Sequence, residues 1–312
     1  MHEYYRHLSQ FLNKDICSRT TVLSGPHIGE EAISIGDKQV LASPHFEPEG
    51  AQTLTEHLIP KPHLVLFGGG HVSLALYQLG VLQEMPMDAY DDREEFANQA
   101  RFPKATVHCM PFDQLPQHPI TFPGAYVVIA THGHLFDRQC LAYSLRQPHA
   151  YIGMIGSRAK VAFTFDALRK EGFTDEELSS VHAPIGLAIG GNSPAEIAVS
   201  IMAQIISIYA KDPGRVLIDP TVLAAATSCE TDGVLVRVLE KTGSSPATPG
   251  AMMLVTKDNV IGTVGGGSVE KRAIDKARAL KANMIDAEDL GPHGDAGMVC
   301  GGAVKLLYTR LW

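Results

Sequence analysis

The sequence predicts an α/β protein, with a Rossmann-like parallel sheet domain followed by a smaller α+β domain, and three observations carry that prediction. The first is an apolar run without alternation, Leu64 to Phe67, followed at once by Gly68, Gly69 and Gly70 and then by an apolar stripe at Val72, Ala75, Leu76 and Leu79. That order is a strand covered on both faces, a tight turn and a helix packed back on the sheet. The second is the alternation of further strands and helices from Pro62 to about Ala210, the sequence form of a doubly wound sheet. The third is where alternation stops, at Lys211-Asp212-Pro213-Gly214, a Pro-Gly boundary after a long helix.

The glycine turn reads G-x-G-x-x-S, with Ser73 where a dinucleotide fingerprint has Gly or Ala. Gly68 permits the tight turn, and Gly69 and Gly70 leave the backbone open to a ligand. His71 starts a helix whose free N–H groups and positive dipole end suit a phosphate. Asp91 closes a second strand, Met87 to Tyr90, about 20 residues past the turn, where an acidic side chain accepts hydrogen bonds from a ribose. The alternative is a turn that only lets helix and sheet pack, with Asp91 a solvated strand end.

Later strands, Ala105 to Cys109, Ala125 to Thr131 and Ala150 to Ile155, put functional loops at their carboxyl ends. Thr131-His132-Gly133-His134 follows one of them. Its histidines, spaced i and i+2, lack a third metal ligand nearby in sequence, so the stretch, His132 included, either orients a ligand by hydrogen bonding or is a loop of exposed polar residues. Gly156-Ser157-Arg158-Ala159-Lys160 follows another. Ser157 suits an N-cap, while Arg158 and Lys160 oppose the helix dipole unless an anion binds there. Ser193-Pro194-Ala195-Glu196 is a capping box opening an apolar helix through Ile208, which marks a core helix or a homodimer interface.

Residues 1–60 form an N-terminal segment with a short helix at Tyr4 to Leu12 and a hairpin around Gly36-Asp37. The Rossmann-like domain spans 61–212 and the α+β domain 213–312. In the latter, Met252 to Thr256 and Val260 to Val264 form a hairpin, and Gly265-Gly266-Gly267-Ser268 precedes a helix from Val269 to Ala282. This strand, glycine loop and helix is a second candidate anion cradle. Cys300, beside Gly301 and Gly302, is either a thiol open to a ligand or a small buried residue.

Bulk properties fit this organisation. A chain of 312 residues suggests two domains. With 26 Lys and Arg against 34 Asp and Glu, the net charge of −8 excludes nucleic acid as the main partner. Five cysteines without a C-x-x-C pair indicate reduced thiols and a cytoplasmic setting. Neither a signal peptide nor a membrane span is read from the sequence.

Together the motifs resemble the XdhC/CoxI family, accessory proteins of xanthine dehydrogenase and related molybdenum hydroxylases. The resemblance runs from Leu64 to Tyr209 through LVLFGGGHVS, YDDREEFANQARFP, THGH, YIGMIGSRAK, HAPIGL and SPAEIAVSI. It continues from Val234 to Leu307 through GSSPATPGAMML, IGTVGGGSVE and GMVCGG. Two departures stand out. The GSSP and GGG module follows the Rossmann domain here, where the family order has it first, which implies a circular permutation and residues 1–60 packing with 219–312. Ser268 also stands where many relatives have cysteine. The family implies a chaperone that binds the molybdenum cofactor, a molybdopterin with or without a nucleotide, while a cysteine desulfurase supplies its sulfido ligand. It then inserts the cofactor into a xanthine dehydrogenase-type hydroxylase. Phosphate or nucleotide is expected at Gly68 to Ser73 and Ser157 to Lys160, and the pterin or metal end near Gly266, Gly267, Ser268 and Cys300, with Cys300 as the metal ligand. The alternative is an NAD(P)-dependent oxidoreductase, for which no Tyr-x-x-x-Lys pair is present at a strand end.

Overall fold

A computed structural model describes residues 2–12, 17–58, 62–120, 124–211, 215–216, 218–229, 232–243, 248–289 and 302–311. The chain divides into two units, one of residues 61–213 and one joining residues 1–60 to 214–312.

In chain order the elements begin with helix α1 (His2–Leu12) and strands β1 (Cys17–Val22), β2 (Glu31–Ile35), β3 (Lys38–Ala42) and β4 (Thr53–Leu58). Then come β5 (His63–Phe67), α2 (His71–Leu82), β6 (Met87–Asp91) and β7 (Thr106–Cys109). A 3-10 turn at Phe112–Gln117 leads to β8 (Ala125–Ile129), α3 (His134–Leu145) and β9 (His149–Met154). Helices α4 (Arg158–Lys170), α5 (Asp175–Ser179) and α6 (Pro194–Tyr209) complete that unit. The last stretch holds β10 (Arg215–Val216), α7 (Pro220–Ser228), β11 (Gly233–Gly243) and β12 (Met252–Thr256). It ends with β13 (Val260–Gly262), α8 (Gly267–Arg278), β14 (Met284–Asp289) and β15 (Gly302–Arg310).

The 61–213 unit is built on a five-stranded sheet in the order β7-β6-β5-β8-β9, and every pairing is parallel. Successive residues of β5 serve opposite layers, as a pleated strand requires. Val65 and Phe67 pack with Cys140 and Leu141 of α3 and Val161 and Leu168 of α4. Leu64 and Leu66 pack with Leu76 and Tyr77 of α2 and Ile201, Met202 and Ile205 of α6. All four strand residues are fully buried, each contributing roughly 1.5–3 kcal/mol of apolar burial. The chain leaves β5 first toward β6 and later toward β8, so the crevice where the order reverses opens at the carboxyl end of β5, above the glycine turn. Helix α6 is a core helix packed beside α2, with Val199 exposed.

The other unit holds two five-stranded sheets, β10-β4-β1-β2-β3 and β13-β12-β11-β15-β14. A buried ionic cluster joins its two chain segments. Arg19 of β1 donates to Glu56 of β4 at 2.9 Å, while Arg237 of β11 meets Glu31 of β2 at 2.7 Å and donates to Thr21 of β1 at 2.7 Å. Burial pushes the Glu56 carboxyl up, but Arg19 and Arg237 outweigh it and hold the group below its usual range. No helix among the described residues is long and apolar enough to cross a membrane.

Candidate functional site at the glycine turn

The three glycines of the turn have different duties. Gly68 has φ +101°, and a Cβ there would lie 2.2 Å from the Ala130 carbonyl oxygen; its N–H donates to the Tyr90 carbonyl at 2.7 Å. At Gly69 a Cβ would meet the Phe96 carbonyl oxygen at 2.2 Å. Gly70 differs, because a Cβ there has nothing within 4 Å. It is the N-cap of α2 and has no side chain to cap the helix. The first helical bond runs from the Leu74 N–H to the Gly70 carbonyl, so the amides of His71, Val72 and Ser73 are the orphan donors of this helix start. His71 is exposed. Ser73 is 1 % exposed and its Oγ has no hydrogen-bond partner among the described residues.

Asp91 stands beside this turn but faces inward. Its side chain is fully buried. Oδ2 accepts from the Gly69 N–H at 2.7 Å and from Arg93 Nη2 at 3.1 Å, while Oδ1 accepts from the Arg93 N–H at 3.1 Å and Arg93 Nε at 2.9 Å. A carboxylate offers about four lone-pair sites, so the chain's own donors occupy all of them. Burial alone would raise its pKa, but the Arg93 side chain and the Gly69 and Arg93 amides outweigh that and hold it below the ordinary value. The ribose role expected of Asp91 therefore gives way to bracing of the turn. The residues that do this with it, Arg93, Phe96 and Arg101, were not singled out in the sequence. Arg93 stacks on the Phe96 ring at 3.8 Å, and Arg101 donates to the Gly69 carbonyl at 2.9 Å. Their sequence signal was the motif YDDREEFANQARFP, which carries all three without giving them a role.

His132 meets Asp92 at 2.9 Å, from Nε2 to Oδ1. The pair links the ends of β8 and β6 on either side of β5. Asp91, Asp92 and His132 offer ligand atoms within 4.8 Å of one another, the proximity that sequence spacing did not supply. The saturated Asp91 oxygens and the adjacent guanidinium oppose a divalent cation there.

Across the crevice, Lys160 pairs with the fully buried Asp137, whose Oδ1 also accepts from the Thr131 hydroxyl at 2.6 Å. The expectation of two cations awaiting an anion is corrected at this point: Lys160 is neutralised by the chain itself, and Arg158 is exposed. Ser157 caps α4 by accepting from the Lys160 N–H at 3.3 Å.

The second glycine loop is filled from within. Glu270 of α8 accepts from the Val264 N–H at 3.1 Å, from the Gly266 N–H at 3.2 Å and from the Thr263 hydroxyl, and Thr263 Oγ1 accepts from the Gly265 N–H at 3.1 Å. The open cradle expected at Gly266, Gly267 and Ser268 is thus, over Val264 to Gly266, a turn closed by its own carboxylate. Gly267 and Ser268 begin α8. Cys300 lies outside the described residues.

Comparison with known proteins agrees with this fold. The sequence model described as the XdhC Rossmann domain matches residues 64–205, and that of the XdhC and CoxI family matches residues 228–285. An uncharacterized Escherichia coli protein, YqeB, is 34% identical over 163 residues, covering 52% of this chain and 30% of that protein. A Bacillus subtilis protein described as a probable xanthine dehydrogenase subunit is 30% identical over 165 residues, covering 52% of this chain and 47% of that one. The chain thus spans less than half the length of either relative. A crystal structure of a xanthine dehydrogenase from Bacillus halodurans shares the fold, with a TM-score of 0.54 and 23% identity over 67% of this chain and 65% of that one. With the two models matched over residues 64–205 and 228–285, the chain belongs to the XdhC/CoxI family.

Proposed function

We propose that this chain is an accessory protein of a xanthine dehydrogenase-type molybdenum hydroxylase: it holds the molybdenum cofactor by its phosphate end while a cysteine desulfurase installs the sulfido ligand, then passes it to the enzyme. Family membership supports the setting, as does the name of the Bacillus subtilis relative. The observation that carries the reading is the vacant side-chain position at Gly70, next to the uncapped start of α2 with its orphan amides. A phosphate supplies acceptors for those donors and favours the positive helix end. Holding the cofactor by phosphate leaves its metal end free for exchange, as transfer requires.

Gly70 has φ −65°, so a side chain is tolerated by the backbone there. The protein is produced in a molybdate-fed host, and the small molecules it releases are measured by elemental analysis and mass spectrometry. The expected result is molybdenum and pterin in the wild type and a loss of about tenfold or more in Gly70→Val, with unfolding stability changed by no more than about 1 kcal/mol. Equal pterin content in the two proteins, or none in the wild type, overturns the assignment.

A further inference from the structure

The strand-end position that reads a ribose in a dinucleotide fold is here an acid with no acceptor capacity left. Asp91 is fully buried, and four donors fill its oxygens. What the crevice presents in its place is the guanidinium that saturates it. Arg93 is held as a flat fork by Asp91 at 2.9 and 3.1 Å and lies on the Phe96 ring at 3.8 Å, with 32% of its side chain exposed. A guanidinium stacked and paired in this way loses little further freedom when an anion docks on its free edge. One oxygen, Asp91 Oδ2, accepts from both Arg93 and the Gly69 amide, so the fork sits directly beside the glycine turn. Arg101 adds a second cation, 5.4 Å from the Phe96 ring centroid, with its Nε on the Gly69 carbonyl and an Nη2 that is buried without a hydrogen-bond partner among the described residues. The acids that face this fork are Asp91, which pairs with it, Asp92, whose Oδ1 lies 3.8 Å from Arg93 Nε and is also engaged by His132, and Glu95.

We propose that this end of the crevice selects a phosphate monoester and rejects an unsubstituted ribose diol, with Arg93 as the residue that reads it. A dianion accepts from the guanidinium edge, whereas a diol needs an acceptor that Asp91 no longer offers, and its own hydroxyl protons would face a cation. The same chemistry fits two sources: the single terminal phosphate of a pterin cofactor that carries no nucleotide, and the 2′-phosphate of a phosphorylated dinucleotide. The inference rests on the reading that the turn holds a phosphorylated cofactor.

Binding to the full chain is measured by calorimetry with four probes: NADP+, NAD+, a pterin with a terminal phosphate, and the same pterin without it. NADP+ and NAD+ share their diphosphate and differ at the 2′ position, so their ratio isolates the Arg93 end. The expected result is NADP+ over NAD+ by roughly tenfold or more, with the preference collapsing in Arg93→Gln and retained in part in Arg93→Lys. In Arg93→Gln NAD+ binding is expected to fall by much less than NADP+ binding, because Asp91 still accepts from the Gly69 amide; an equal fall for both reports loss of the braced turn and overturns the role of Arg93. A pterin phosphate that loses about tenfold in the same variant assigns the terminal phosphate as the natural source; one that does not assigns the 2′-phosphate. Equal binding of NADP+ and NAD+ by the wild type, or a preference that survives Arg93→Gln, overturns the monoester inference and leaves the phosphate cradle standing. Failure of all four probes removes both.

Discussion

Two glycine loops open helices in this chain, Gly68 to Gly70 before α2 and Gly265 to Gly267 before α8, and they are alike in sequence and unlike in what fills them. Both are braced by a carboxylate: Asp91 reaches the Gly69 amide from a neighbouring strand, and Glu270 reaches back to Val264 and Gly266 from the helix that the loop itself opens. The source of the acid decides the outcome. Asp91 approaches from the side and takes only the Gly69 amide, whereas Glu270 takes the Val264 and Gly266 amides of its loop together with the Thr263 hydroxyl. A glycine-rich loop before a helix is therefore an anion site only when no carboxylate of the chain already takes the role.

That contrast can be broken from either side. The largest effect is expected at Gly68, where alanine drives a Cβ into the Ala130 carbonyl and strains a left-handed backbone; a loss of about 3 kcal/mol in urea unfolding is expected. Gly266 also has a positive φ, +75° with ψ −175°, but open space around it, so Gly266→Ala is expected to lose about 2 kcal/mol from backbone strain alone. Equal losses at the two sites would show that packing does not distinguish them. Glu270→Ala is expected to destabilise by about 1–3 kcal/mol through the stranded amides. It should also convert the closed loop into an anion site, so that phosphate raises the melting temperature of the variant by more than that of the wild type. If phosphate raises both equally, Glu270 is not a stand-in for an anion.

The smallest effect concerns acid. The Asp91 pKa is lower in the fold than in the unfolded chain. Its contribution to stability is therefore complete above the unfolded value near 3.9 and lost as pH falls through the folded value. Melting temperature measured from about pH 6 to pH 3 is expected to fall less steeply at the acid end in Asp91→Asn than in the wild type, from a lower starting stability. Parallel curves would remove Asp91 from the acid response.

The sheet of the 61–213 unit was readable because its signals are local. Leu64 to Leu79 carry strand, turn and helix in consecutive residues, and the capping box at Ser193 to Glu196 forms as its spacing requires. The site was readable only in part. Gly70 follows from the motif, but the pairing of Asp91 with Arg93 depends on how the chain turns after β6, and that of Lys160 with Asp137 joins loops after different strands. Charges in sequence show that pairs will form, not which. Glu270 was hidden similarly, since nothing in GGGSVE says that its acid folds back over the glycines. Strand β1, Cys-Ser-Arg-Thr-Thr-Val, was missed because its buried Arg19 and Thr21 are polar and mask the period-two pattern that marks a half-buried strand.

The buried cluster of Arg19, Glu31, Glu56 and Arg237 sets an order of assembly. Thr21 and Arg237 are 216 positions apart, and a guanidinium removed from water without its carboxylates is strongly unfavourable. During synthesis the two early acids and Arg19 must wait, solvated, until β11 has emerged, while the sheet of residues 61–213 already has every strand it needs. The split unit is then the late and slow one, and pulse-labelling hydrogen exchange on the refolding chain is expected to protect β5 and β8 before β1 and β11. A chain whose ends must find each other around a finished insert is most exposed to aggregation just before its last strand arrives.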